Sequence, residues 1–352
     1  MSGLAVAAIS TMLLAGCAPA PETGGDKTPG ASDFLPCMVS DTGGFNDNSF
    51  NEIGKQGLDD AAKKLGVKAN AIESQAETDY ANNLSGLVDQ GCNIIVTVGF
   101  LLAEATKAAA EANPDVEFAI IDDSSIDLPN VKPIVFDTAQ AAFLAGYAAA
   151  SYTKSKIVGT FGGIPIPPVT IFMDGFFDGV QYYNEVKGDS VKVLGWDVAK
   201  QKEGAFTGGF EANDTAKSTA KNLIDQGADV ILPVGGPIYT SAAEAIKDSG
   251  KDIALIGVDA DVTETDPSIA GILLTSIMKG MQVGVSEVVT SAADGKFDNT
   301  PFVGTLENGG VSIAPFHEFQ SKVSADLQGE LDAIKADIIS GKIKVESPSS
   351  PK

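Results

Sequence analysis

The chain has no arginine: all 24 of its basic side chains are lysines, set against 47 acidic residues. The resulting net charge of −23 repels nucleic acid and anionic lipid headgroups, which removes both from the list of partners. Without arginine there is no bidentate fork for a phosphate, so a neutral ligand suits this chain better than a phosphorylated one. Histidine is nearly missing too. With His317 alone, a metal centre or a serine–histidine–aspartate relay has little to work with, and a lone histidine is more often structural or exposed than catalytic. Three cysteines are too few for zinc-ligand spacing. The glycine pairs Gly43-Gly44, Gly162-Gly163 and Gly235-Gly236 fit neither G-x-x-x-x-G-K-[ST] nor G-x-G-x-x-G, which speaks against nucleotide-dependent enzymes. No catalytic residue, metal or cofactor is expected.

What the chain does have is a repeat. Leu87-Val88-Asp89-Gln90-Gly91-Cys92-Asn93-Ile94-Ile95-Val96-Thr97-Val98-Gly99 returns 136 residues later as Leu223-Ile224-Asp225-Gln226-Gly227-Ala228-Asp229-Val230-Ile231-Leu232-Pro233-Val234-Gly235. The same offset carries the strand 118–123 onto 254–259. A helix end, a turn, a buried strand and then a second buried strand ending in aspartate describe an open α/β sheet, and two copies describe two Rossmann-like lobes. Ligands of such sheets sit beyond the carboxyl ends of the strands, so two lobes facing each other there predict a cleft. Asp259 falls in register with Asp123, while Asp122 and Asp123 remain alternatives because neighbours on a strand point to opposite sides.

The pattern predicts a first lobe over 34–155 plus 271–298, and a second over 156–270 plus 299–345, with a tail at 346–352. Helices are expected near 49–65, 79–90, 102–112 and 139–152, and again near 172–186, 214–226, 240–248, 278–292 and 324–339. The segment 272–292 echoes 134–152 and is expected to return to the first lobe, so that several crossings form a hinge.

Residues 1–17 are uncharged and apolar, too short to span a bilayer, and suit a signal-peptide core. Leu14-Ala15-Gly16-Cys17 resembles the bacterial lipobox, which implies lipidation at Cys17 and a flexible tether over 18–33. The basic residues that normally precede such a run are missing, which points to a start upstream of Met1. Cys37 and Cys92 each stand at the beginning of a first-lobe strand. In an exported chain, neighbouring strands would let them form a disulfide at the sheet edge away from the cleft; two buried free thiols are the alternative.

Asp41-Thr42-Gly43-Gly44-Phe45-Asn46-Asp47-Asn48-Ser49-Phe50-Asn51 resembles the D-x-G-x-x-D-D-x-S-F-N signature of the basic membrane protein family of substrate-binding lipoproteins. The likeness continues through Val98-Gly99-Phe100, Ile121-Asp122, 143–147, 256–261 and 274–279, nearly the whole mature chain. It implies a type I periplasmic-binding-protein architecture. It also implies capture of a nucleoside, purine favoured, for the permease of an ABC importer, by a monomer anchored to the outer face of the cytoplasmic membrane. By that resemblance Asp41 bonds the nucleoside, Phe50 stacks on the base, Asp122 reads its edge, and Asp259 and Lys279 hold the ribose. Phe210, with Phe206 as the alternative, supplies the second aromatic. Thr42, Phe100 and Gly235 complete the set, and Thr42 stands where some members carry a base-reading Asn.

The residues also allow plainer readings. Asp41 can cap the helix near Ser49 or brace its turn, and Phe50 can be a helix core residue. Lys279 opens a predicted helix, where a cation opposes the macrodipole and so argues for a paired or functional role. Trp196, at a strand end, suits packing. A sugar receptor of the same fold, a ligand sensor at the surface, and an exported hydrolase using Asp122-Asp123 or Asp259 and Asp261 are the competing functions.

Overall fold

The computed structural model describes residues 34–201 and 203–351. The proposed signal peptide, tether and lipidated Cys17 lie outside the described residues. The chain runs β1 (Pro36–Ser40), α1 (Phe50–Leu65), β2 (Asn70–Ile72), α2 (Tyr80–Asp89), β3 (Ile94–Val98), α3 (Ala103–Ala112), β4 (Glu117–Ile121) and β5 (Val131–Phe136). It continues with α4 (Thr138–Tyr152), β6 (Ile157–Gly162), α5 (Pro167–Lys187), β7 (Lys192–Leu194), α6 (Asp214–Asp225), β8 (Val230–Val234), α7 (Ile238–Ser249) and β9 (Ala254–Asp259). Then come α8 (Val262–Thr265), β10 (Leu273–Lys279), α9 (Met281–Ala293), β11 (Phe302–Gly304), β12 (Val311–Ile313) and α10 (Leu327–Ile339).

The strands make two six-stranded sheets, ordered β11-β5-β4-β3-β1-β2 and β12-β10-β9-β8-β6-β7. All pairings are parallel except that of β10 with β12. Strands such as Ile94–Val98 and Val230–Val234 are buried along their whole length, as continuous apolar runs covered by helices on both faces require. The two α/β lobes are therefore those the repeat implies.

The crossings differ from expectation in a consistent way. Strand β10 pairs with β9 and stays in the second sheet, whereas α9 packs on α1 and the first sheet, so 271–298 is divided between the lobes. In the same manner β5 belongs to the first sheet, while α4 packs on α5, β10 and β12. The resemblance between the two strand–helix pairs holds, but each lobe lends the other its helix and the chain crosses between strand and helix. A third crossing separates β11, which extends the first sheet, from β12 in the second. Segment 299–345 is thus shared as well.

The lent helix fits because it is made of small residues. Alanine dominates α4, and a Cβ on Gly146 would come within 2.1 Å of the Phe176 carbonyl oxygen of α5, so only glycine permits that approach. The crossings are tied together by backbone bonds: Asp137 N–H donates to the Gly304 carbonyl and Gly280 N–H to that of Gly310, each at 2.8 Å. The tail docks on this hinge, with Ser347 Oγ donating to Asp174 Oδ2 at 2.6 Å and Ser350 Oγ to Asp137 Oδ1 at 2.9 Å. Cys37 and Cys92 are disulfide-bonded at the amino ends of β1 and β3, with Cα atoms 6.0 Å apart.

Candidate functional site

Between the carboxyl ends of the two sheets lies a cavity of about 230 Å³. Asp41, Thr42, Phe50, Phe100, Asp122, Phe210, Gly235, Asp259 and Lys279 all line it. Phe206 does not; it packs edge-on against Trp196 at 5.9 Å, while the Trp196 N–H donates to the buried Asp174.

Two strand ends supply the acids. Asp122, just after β4, and Asp259, ending β9, both adopt left-handed backbone, with φ of 66° and 69°. This backbone turns each carboxylate inward at the end of its parallel strand, and the two lobes use it alike. The structural partner of Asp259 is therefore Asp122 and not the in-register Asp123, which instead accepts hydrogen bonds from the Ser125 backbone and hydroxyl.

Lys279 closes β10 and precedes the helix that begins at Met281, which corrects the expectation that it opens a helix. Its Nζ lies 2.5 Å from Asp122 Oδ2 and 3.5 Å from Asp259 Oδ1, so it joins an acid of each lobe. The rings of Phe50 and Phe172 stand 5.1 Å from the same nitrogen, and Phe136 stands 5.9 Å away. Cation and rings attract through the ring quadrupole, an effect strengthened by desolvation. Burial works against the ammonium, but Asp122 and Asp259 outweigh it and hold the Lys279 pKa above its ordinary value.

The first-lobe wall is the loop between β1 and α1. Asp47 accepts from the backbone N–H groups of Ser49, Asn51 and Glu52 at 2.9–3.1 Å and so caps α1. Asp41 braces the turn instead, accepting from Gly43 N–H and the Asn51 amide at 3.1 and 2.7 Å. Phe50 lies over Gly99 after β3, and Phe210 over Gly235 after β8, where a Cβ would meet the ring at 2.6 Å. Each lobe thus sets one aromatic ring on the glycine that ends its third strand position. Ile166, Pro168, Val169 and Phe172, at the start of α5, form an apolar wall that the sequence reading missed. In the first lobe residues 41–49 lie between β1 and α1, but in the second only 163–166 lie between β6 and α5, so these walls share no register in the repeat.

Burial pushes Asp41 and Asp259 up to about 6, an effect Lys279 only partly offsets at Asp259. A carboxyl whose folded pKa is raised binds more protons folded than unfolded between the two values, so its contribution to stability is present below the unfolded value and is lost as pH rises through the folded one. Unliganded protein should lose on the order of 2–3 kcal/mol per carboxyl between about pH 4 and 6. Urea titrations at half-unit pH steps should show this decline, reduced in Asp41→Asn; equal slopes would contradict it.

The hydrolase alternative has no catalytic pair. Asp122 and Asp259 are engaged with Lys279, Asp123 with Ser125, and Asp261 with His317 Nε2 at 2.7 Å. No three-residue metal-ligating cluster occurs among the described residues.

The sequence model of the Bmp family, described as ABC transporter substrate-binding protein PnrA-like, matches residues 34–349. The chain is 30% identical to the ABC transporter nucleoside-binding protein BmpA of Lactococcus lactis subsp. cremoris, across 97% of each chain. It is 29% identical to an uncharacterised lipoprotein of Pyrococcus horikoshii, across 77% of this chain and 67% of that one. Among solved structures, an ABC transporter solute-binding protein from Aeropyrum pernix K1 superposes with a TM-score of 0.79 at 26% identity, covering 90% of this chain and 94% of that one. The family is one of ABC transporter substrate-binding proteins and not of enzymes. With a two-lobe fold, a cleft at the strand ends and a family match over nearly all of the described residues, the chain belongs to the Bmp family of PnrA-like ABC transporter substrate-binding proteins.

Proposed function

We propose that this protein is anchored at the cell surface through Cys17, captures a nucleoside, with purines favoured, between its lobes, and delivers it to the importer's permease. The observation that carries the reading is the pairing in one cavity of Phe50 and Phe210, one from each lobe, with the carboxylates Asp41, Asp122 and Asp259. A base offers π faces to rings, and ribose hydroxyls and ring N–H groups donate to carboxylates. Asp41, Asp47, Asp122, Glu211 and Asp259 outnumber Lys279, a balance that opposes a phosphorylated ligand. The nucleoside-binding relative supports the ligand class, and the lipoprotein relative supports the anchor.

Calorimetric titration of protein beginning at Ala18, freed of co-purified ligand by partial unfolding, tests the proposal against adenosine, guanosine, inosine, cytidine, uridine, ribose and galactose. Purine nucleosides should bind one to one. Asp259→Asn should weaken them roughly tenfold to 150-fold, since hydrogen bonds to charged groups contribute about 1.5–3 kcal/mol. Phe210→Leu should remove about 1–3 kcal/mol of base stacking. Binding of sugars alone would overturn the ligand assignment.

A further inference from the structure

A second set of contacts joins the lobes without lining the cavity. Ser49, fully buried at the start of α1, directs its Oγ across to the second lobe, 3.3 Å from the Val258 carbonyl and 3.5 Å from Asp259 Oδ2. Beside it, Asn48 adopts left-handed backbone with φ of 53°, and its carbonyl accepts from Thr265 Oγ1 at 2.7 Å. Neither of these two groups nor Thr265 belongs to the cavity wall.

Both sides of this contact are held firmly by their own lobes. Asp47 pins the Asn48–Ser49 turn through three backbone bonds, and Phe45 N–H is anchored on Glu73 at 2.9 Å. Across the gap, α8 is fixed by Asp261, which accepts from Thr263 N–H, and by Ser276 Oγ, which accepts from Val262 N–H at 3.1 Å. Two rigid platforms meeting through directional bonds can hold only one relative orientation, and a strained residue is kept where its surroundings determine it.

We propose that Ser49, together with the Asn48 carbonyl and Thr265, forms an inter-lobe clasp that prolongs closure of the cleft, and that Ser49 is a positioning residue for the Asp259 carboxylate. The clasp acts on the lifetime of the closed form, because its bonds form only after the lobes have met. The Asp259 component rests on the ligand reading above; the closure component does not.

Ser49→Ala combined with Thr265→Val tests it. Stopped-flow binding of the tightest purine nucleoside should show dissociation about tenfold faster with association unchanged, as the loss of two hydrogen bonds implies. Ser49→Ala should accelerate dissociation less in an Asp259→Asn background than in wild type, the non-additivity expected of a residue acting through another. Spin labels at Lys64→Cys and Lys221→Cys, on exposed positions of α1 and α6, report the separation of the lobes directly, with or without a ligand. The double variant should populate longer distances. Unchanged dissociation, full additivity of Ser49→Ala with Asp259→Asn, or a lower melting temperature with neither rate nor distance altered would each overturn the part it tests. If no nucleoside binds, identical distance distributions in wild type and variant overturn the clasp, and longer distances in the variant sustain it while the ligand assignment falls.

Discussion

Lys279→Met is expected to lower the unfolding temperature by about 10 °C at pH 8, and by much less at pH 5. Among the described residues the lysine is the only cation lining the cavity, and it faces two buried carboxylates from opposite lobes. Methionine fills the ring-lined space but leaves Asp122 and Asp259 without a counter-charge. Breaking a buried pair by removing one partner costs about 3–5 kcal/mol. Burial already holds both carboxyls above their ordinary pKa, and loss of the ammonium pushes them higher. They can escape the penalty only by taking up protons, so the deficit grows as pH rises and shrinks in acid. Calorimetric scans of both proteins at pH 5 and pH 8 decide the matter. A deficit that is the same at both would mean that packing of the lysine stem, and not its charge, is what the site requires.

Removing the disulfide, with Cys37→Ala and Cys92→Ala together, should cost about 4 kcal/mol, from the loop-closure entropy of a cross-link between residues separated by 55. The loss should be confined to the first lobe. Trp196, the single tryptophan, is buried in the second lobe against Asp174 and Phe206, so its fluorescence follows that lobe alone, whereas circular dichroism follows both. In the variant, the ellipticity change should begin at lower denaturant than the fluorescence change. Superimposable transitions shifted together would show that the lobes unfold as one unit.

The lobes and the cleft were legible in the sequence because the repeat preserves both the buried strands and the residues that follow them. Gly99 and Gly235 stand at equivalent strand ends and both take positive φ, which is why the same position recurs as glycine. Asp122 could not be separated from Asp123 by pattern alone. Left-handed backbone lets a strand end aim a side chain against the alternation of the strand, and alternation is all that periodicity encodes. Lys279 was read as helical because apolar residues continue past it into α9, whereas pairing with Val311 of β12 keeps it in the sheet. Strands β11 and β12 are three residues each, below the length at which apolar periodicity gives a signal. The apolar wall from α5 was hidden because the connection from β1 to α1 is longer than that from β6 to α5, so the start of α5 has no in-register counterpart in the first lobe.

The order of strands also governs how the molecule can be made. The edge strand of the first sheet comes from Phe302–Gly304 and that of the second from Val311–Ile313, and the helix covering each sheet beside the hinge is encoded on the other side of a crossing. Neither half of the chain contains a finished lobe. A ribosome that has released only the first 300 residues has produced two sheets that each still lack an edge, so their completion waits for β11 and β12 to emerge. A chain built this way completes both of its lobes within a few residues of one another, when Phe302–Gly304 and Val311–Ile313 take their places at the two edges.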